Sequence, residues 1–311
     1  MTTYNGEKYL INQLDTIRCQ SYPLDEVIIC DDGSKDKTIE MIEDYIRQYN
    51  LVTWNFHKNP KNLGFSNNFK QAIGMTTGDV IFLCDQDDEW HLDKVEKMLS
   101  VYQEHPEITA LLCNLVYIDQ NSREFIPEHL PNWYQKMQSY PSQSLNCVDF
   151  IELCSTNFAP GCVMSFKRDI AEKYLNSEYK HGIPHDWLLS LESAKNNGLF
   201  YYNEPLIGYR LHSNNAIGNT SAKKSSTVIE QIDRLERLKA RHELARNADY
   251  ENQTALENNI NYINNRMSFY QKRSLSKLHK VWKSSRKTKN LYHNIKMTNI
   301  KDLLYLLHLL F

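Results

Sequence analysis

Apolar and polar positions over the first 120 residues switch repeatedly between a helical period and strand-like runs, the pattern of successive βαβ units. In EKYLINQLDTIRCQ the apolar residues Leu10, Ile11, Leu14 and Ile17 recur at helical spacing, and YPLDEVIICDDGS follows as turn, strand and acidic exit. KTIEMIEDYIRQY sets Ile39, Ile42 and Ile46 on one helical face, LGFSNNFKQAIG predicts a helix opening after glycine, and DVIFLC predicts a strand. HLDKVEKMLSVYQEH then predicts a helix and ITALLCNLVYID a strand, whereas the polar, proline-containing stretch 121–140 predicts a long loop. APGCVMSFKRDIAEKY predicts strand then helix, HDWLLSLESAKNNG a helix ending at Gly198, and LFYYNEPLIGYRLH two short strands broken by Pro205. From Ser225 onward the pattern is helical, rich in asparagine and increasingly basic, with no internal repeat to indicate a solenoid.

The 311 residues, 41% of them hydrophobic, suit one large domain or two small ones with a sizeable core. The formal charge of −2 hides an asymmetry: residues 1–219 hold 18 Lys/Arg against 30 Asp/Glu, and residues 220–311 hold 18 against 8. An acidic body therefore carries a basic tail. Seven cysteines form no CxxC pair and several lie in apolar runs, as expected of reduced core residues in a cytoplasmic protein. No apolar run reaches the roughly 18 residues that span a bilayer, and the N-terminus lacks a signal pattern, so neither secretion nor membrane spanning is expected.

Two predicted strands end in acid: VIIC runs into Asp31-Asp32-Gly33-Ser34, and VIFLC into Asp85-Gln86-Asp87-Asp88-Glu89. In open parallel sheets the ligand crevice lies beyond the carboxyl ends of the strands, so both clusters are expected at one crevice. Like charges gathered there raise the free energy of the protein alone, and a divalent cation, a cationic substrate or plain solvent would each relieve them. Asp85-x-Asp87 suits Mg²⁺ or Mn²⁺ holding a diphosphate, while an isolated DxD equally fits a solvated acidic turn. Ser34 or Asp36 capping the helix from Thr38 accounts for part of the first cluster, and a carboxylate there can also accept from a base or ribose.

TTYNGEKYL, IICDDGSKDKT, KNLGFSNNFKQAI with TTGDVIFLCDQDDEW, and HDWLLSL with YRLH, in this order, resemble a family 2 glycosyltransferase of the GT-A fold. The resemblance covers roughly residues 1–215, and DQDDEW, PGCVMSF, HDWLLSL and EPLIGYRLHSNN are similar to its bacterial rhamnosyltransferase branch of polysaccharide assembly. It implies a mixed sheet flanked by helices. The donor half would be residues 1–120, the acceptor half 121–218, and a basic helical extension 219–311. It also implies roles residue by residue. Thr3, Tyr4 and Asn5 match the segment around base and ribose, and Asp32, with Asp31 beside it, the acid that binds the base. Asp85 and Asp87 match the metal motif, Asp87 being the nearer match to a direct ligand of Mg²⁺ or Mn²⁺, and Asp186 the general base on the acceptor side. Single displacement by an acceptor hydroxyl would invert the anomeric carbon. His212 is either a diphosphate or metal contact or an ordinary half-buried histidine, and Arg210 either a phosphate partner or a salt-bridge residue. His185 either orients substrate or begins a helix, Gly161 matches the segment lining the acceptor side, and Cys162 suits core packing. Trp90 and Trp187 suit a sugar-stacking face and a core position equally.

The family has an apolar strand leading into T-Y-N, whereas only two residues separate Met1 from Tyr4 here. The expectation is a sheet missing its first strand, with the functional protein beginning upstream or this form damaged. Residues 258–301 contain eleven Lys/Arg and no acid, interleaved with Ile263, Met267, Phe269, Tyr270, Leu275, Leu278, Val281 and Trp282, before a final LLYLLHLLF. That pattern predicts either an interfacial helix on anionic lipid at the inner membrane face or a stripe that packs on protein. No motif supports nucleic-acid binding.

The reading is an inverting, metal-dependent transferase moving a sugar, with rhamnose from dTDP-rhamnose as leading donor, to a growing cell-surface polysaccharide or lipid-linked glycan. Its rivals are an inactive pseudo-transferase that binds partners and a metal-dependent nucleotidyltransferase. The latter ordinarily carries a glycine-rich basic phosphate loop where this chain has TTYNGEKYL.

Overall fold

The structure is a computed structural model; it describes residues 1–155, 160–177, 184–212, 227–248, 253–289, 291 and 295–307. It divides into two compact units, Met1–Val148 with Phe158–Ile217, and Asp149–Asn157 with Gly218–Phe311.

In the first unit, β1 (Thr2–Thr3), β2 (Val27–Asp31) and β3 (Trp54–Lys58) form a parallel sheet with β2 in the middle. Helices α1 (Leu10–Arg18), α2 (Thr38–Gln48) and α3 (Phe65–Met75) alternate with them. All of VIICD in β2 is buried, as befits a parallel strand covered on both faces. In place of the absent first strand that the sequence predicts there is a stub. Thr2 and Thr3 pair with Cys30 and Asp31, the Met1 ammonium donates to Ile28 O at 2.9 Å, and Thr2 N donates to Cys84 O at 3.3 Å.

The second sheet contains β4 (Val80–Phe82), β5 (Glu89–Trp90), β6 (Ala110–Ile118), β7 (Glu124–Phe125), β8 (Leu145–Cys147), β9 (Met164–Lys167) and β10 (Leu199–Arg210). Its main path runs β4-β9-β6-β10-β5. β6 pairs parallel with β10 and antiparallel with β9, so the sheet is mixed. Around it lie α4 (Lys94–Glu104), α5 (Asn132–Gln138), α7 (Arg168–Leu175) and α8 (His185–Ala194), with α6 (Phe150–Ser155) belonging to the second unit.

Two sequence expectations change here. The stretch 121–140 holds β7 and α5 rather than a bare loop. Pro205 does not divide LFYYNEPLIGYR into two strands: β10 is continuous, and register shifts on either side of Pro205 absorb the residue that cannot donate.

The second unit adds α9 (Val228–Ala248), α10 (Gln253–Lys272), α11 (Leu275–Ser285) and α12 (Ile295–Leu306). Leu235, Leu238, Tyr262, Ile263, Phe269, Tyr270, Leu278 and Val281 bury one another in its core. Most of the apolar stripe that the sequence offers as a membrane face is therefore internal. Arg266 is buried in a two-pronged pair with Asp302, at 2.9 and 2.7 Å, and Tyr270 Oη also donates to Asp302 at 2.8 Å.

Candidate active site

The exit of β2 is held by its own carboxylates. Asp31 Oδ1 accepts from the backbone of Gly33 and Ser34 at 3.0 and 2.8 Å, and Oδ2 accepts from Thr3 Oγ1 at 2.7 Å and Ser34 Oγ at 2.6 Å. Gly33 has φ +82°, a conformation that glycine adopts without cost. Asp32 Oδ1 accepts from Leu63 N at 2.7 Å and Asn59 Nδ2 at 3.0 Å, and Oδ2 from Gly64 N at 2.9 Å. Both acids therefore fix local backbone. Asp32 reaches the entry of α3, a contact between two motifs that sequence spacing does not reveal.

The Thr3-Tyr4-Asn5 segment is tied to both acidic exits. Asn5, in the left-handed region at φ 49°, receives a bond from Lys35 N at 2.8 Å and donates its own N–H to Ser34 Oγ at 2.8 Å. Tyr4 and Gln86 exchange two bonds, Tyr4 N to Gln86 Oε1 at 2.8 Å and Gln86 Nε2 to Tyr4 O at 3.0 Å. The Tyr4 ring remains exposed. Gln86, the unassigned residue inside Asp85-Gln86-Asp87, is thus the clasp that brings the two motifs together.

Within the second acidic loop the carboxylates differ. Burial first, then Asp87 and Asp186, push the Asp85 carboxyl up to about 7. Asp87 Oδ2 lies 2.8 Å from His212 Nε2. Asp88 is buried, and burial, Asp87 and Asp85 raise its pKa. Its Oδ1 accepts from Arg210 N at 3.0 Å, while Oδ2 is buried with no donor in hydrogen-bonding geometry. Glu89 pairs with the Arg210 guanidinium.

Arg210 is the strut under this loop. Its side chain is fully buried, Nε donates to Asp87 O at 2.7 Å and one terminal nitrogen to Asp119 O at 2.6 Å, and the other pairs with Glu89. The Tyr9 ring lies 4.6 Å from the guanidinium carbon and 5.1 Å from the His212 ring. Every guanidinium nitrogen is engaged, which fits the salt-bridge alternative for Arg210 and gives it a positioning role. Lys94, absent from the sequence reading, is a fully buried cation. Its Nζ donates to Cys162 O at 2.9 Å and sits 4.3 Å from the Trp90 ring centre. Nothing in HLDKVEKM distinguishes it from a solvent-facing helix lysine.

Pro184 precedes α8 as its N-cap residue, and the helix presents His185, Asp186 and Trp187 in its first turn. Asp186 is buried, accepts from Trp187 N at 2.7 Å, and is near enough to Asp85 to raise its pKa. A Cβ added to Gly161 would meet Asp186 Cβ and His185 Nε2, each at 3.3 Å, so the glycine permits the close approach of this turn. His185 stacks on Phe69 with ring centres 4.1 Å apart. Its two ring nitrogens are buried without a hydrogen bond, and burial lowers its pKa. Trp187 is 0% exposed and Trp90 4%, which removes the sugar-stacking alternative for both and leaves the core one.

The donor set suits a hard divalent cation in part. Asp85 and Asp87 supply oxygens, and the raised pKa of Asp85 marks a carboxylate crowded by its own kind. Asp85, Asp88 and Cys162 also bring ligand atoms within 4.8 Å of one another. The Cys162 thiol, however, is held protonated by burial and by Asp88, and a neutral sulfur is a poor ligand for Mg²⁺ or Mn²⁺.

A family model described as glycosyl transferase family 2 matches residues 1–175. The dTDP-rhamnosyl transferase RfbG of Shigella flexneri is 27% identical over 228 residues, which cover 70% of this chain and 73% of that protein. An uncharacterized protein of Mycobacterium tuberculosis, Rv1520, is 27% identical over 217 residues, and the match spans 68% of this chain and 57% of that longer protein. Among solved structures, S. aureus TarS 1-349 in complex with UDP superposes with TM-score 0.60 at 16% identity, covering 98% of this chain and 87% of that one. The mannosyltransferase PcManGT of Pyrobaculum calidifontis, in complex with GDP-Man and Mn²⁺, gives TM-score 0.52 at 17% identity, covering 98% and 83%. At these identities the two structures speak to the fold, a mixed α/β sheet flanked by helices.

Proposed function

The chain belongs to glycosyl transferase family 2, and from that premise we propose that it transfers a sugar from a nucleoside diphosphate donor to an acceptor hydroxyl with inversion. The observation that carries the reading is the Gly161–Cys162 turn: a Cβ on Gly161 would meet Asp186 Cβ at 3.3 Å, and the Cys162 thiol lies within 4.8 Å of the Asp85 and Asp88 carboxylates, so the head of α8 stands beside the acidic loop. A base beside a metal-competent carboxylate loop is what single displacement at an anomeric carbon needs.

Residues 1–120 form the donor half in this reading and 121–218 the acceptor half. Tyr4 offers its exposed ring to the base, while Thr3, Asn5, Asp31 and Asp32 hold the backbone around it. Asp85 and Asp87 would hold Mg²⁺ or Mn²⁺, which would offset the charge developing on the diphosphate leaving group. His212 steadies Asp87, Arg210 and Gln86 fix the loop from either side, and Asp186 takes the proton of the attacking hydroxyl.

The donor we favour is dTDP-rhamnose, supported by the likeness to RfbG, and the acceptor a growing polysaccharide or lipid-linked glycan on the cytoplasmic side. The purified chain, incubated with dTDP-, UDP- and GDP-sugars and Mn²⁺, should release nucleoside diphosphate fastest from dTDP-rhamnose. Faster turnover of a UDP- or GDP-sugar would replace the donor and keep the reaction class, and binding of none of them would leave the pseudo-transferase.

A further inference from the structure

The basic segment of the second unit is not spent evenly on its core. In α11, Leu278, Val281, Ser284 and Ser285 face inward, and the opposite arc carries Leu275, His279, Lys280, Trp282 and Lys283, continued past the helix end by Arg286 and Lys287. Leu275 is 73% exposed and Trp282 38% exposed. Standing seven apart, they fall about two turns from each other on one line of the helix. Lys280, Lys283, Arg286 and Lys287 have no ion-pair partner among the described residues, and residues 258–301 contain no acid to supply one.

The buried Arg266 of this unit is neutralised by Asp302. The α11 face is instead left with four uncompensated cations beside two solvated apolar side chains. We propose that this face docks on an anionic lipid surface. An indole and a leucine at the level of the headgroups bury their apolar area in the acyl boundary. The flanking lysines and arginine are drawn to a negatively charged leaflet. Charge alone would suit a polyanion of any kind; the exposed Leu275–Trp282 line has no use on phosphate backbone and selects the lipid. The site is smaller than the stripe read from sequence, because Ile263, Phe269, Tyr270, Leu278 and Val281 are core residues.

The test is co-sedimentation of the full chain with vesicles of phosphatidylcholine alone or mixed with phosphatidylglycerol. The wild type should partition onto the mixed vesicles only and be released by salt. Two double variants, Leu275→Ser with Trp282→Ser and Lys280→Glu with Lys283→Glu, should each lower the partition coefficient about tenfold or more. Both pairs are on the surface, so the helical circular dichroism and melting curve should hold. Quenching of wild-type tryptophan emission by brominated phosphatidylglycerol, abolished by Trp282→Phe, reports the same docking without a charge change. Equal partition onto both vesicle types, partition unchanged in either double variant, or tighter binding to a labelled oligonucleotide than to the mixed vesicles would each overturn the proposal.

Discussion

At the scale of single residues, the site is a problem in like charges. Asp85 titrates high because burial, Asp87 and Asp186 all disfavour its ionised form. A carboxyl with a native pKa above its unfolded one binds more protons folded than unfolded between those two values. Its ionisation therefore destabilises the fold progressively as pH rises from about 4 to about 7. We expect the difference in melting temperature between Asp85→Asn and wild type to grow over that window in metal-free buffer. The shift produced by Mn²⁺ in the wild type should be larger at pH 8 than at pH 5.5, since below neutrality a proton competes for the same oxygens; a pH-independent shift would place the cation elsewhere. Asp186→Asn keeps the shape of the α8 turn and removes the proposed base. It should lower kcat by about a hundredfold or more with donor affinity retained, as measured by isothermal titration beside steady-state rates.

Among elements, the acidic strand ends were readable because VIIC and VIFLC are continuous apolar runs that stop abruptly at carboxylates. β3 was not, since Trp54, Phe56 and His57 are only half-buried in WNFHK and the run is too short to show a period. Pro205 misled for a related reason: a proline removes one donor, and β10 accommodates that loss with a register shift instead of ending. Side-chain roles were harder still. Nothing in YRLH or HDWLL distinguishes a buried Arg210 or Trp187 from an exposed one, because burial is decided by elements distant in sequence. The clasp between Gln86 and Tyr4 carries a prediction at this level. A Cβ on Gly6 would stand 2.3 Å from Gln86 Oε1, so Gly6→Ala must push the amide off Tyr4. The displaced atom ends a flexible side chain, so the melting temperature should change little while the donor KM rises several-fold. An unchanged KM would remove the clasp from the donor site.

For the molecule as a whole, the described residues of the second unit share an apolar core threaded by the Arg266–Asp302–Tyr270 network. Asp302→Ala leaves a buried guanidinium without its carboxylate, which typically costs about 3–5 kcal/mol, and thermal unfolding should start correspondingly earlier. In the proposed function the first unit carries the chemistry, and Asp87 and its neighbours bring a cation to a sugar nucleotide's diphosphate. The most direct measurement is nucleoside diphosphate release from the preferred donor by wild type and by Asp87→Ala, with Mn²⁺ and with excess EDTA. Wild-type turnover should be abolished by EDTA and restored by Mn²⁺, and the variant should fold but stay inactive with either. Wild-type turnover undiminished in EDTA, or Asp87→Ala as fast as wild type in Mn²⁺, would contradict it.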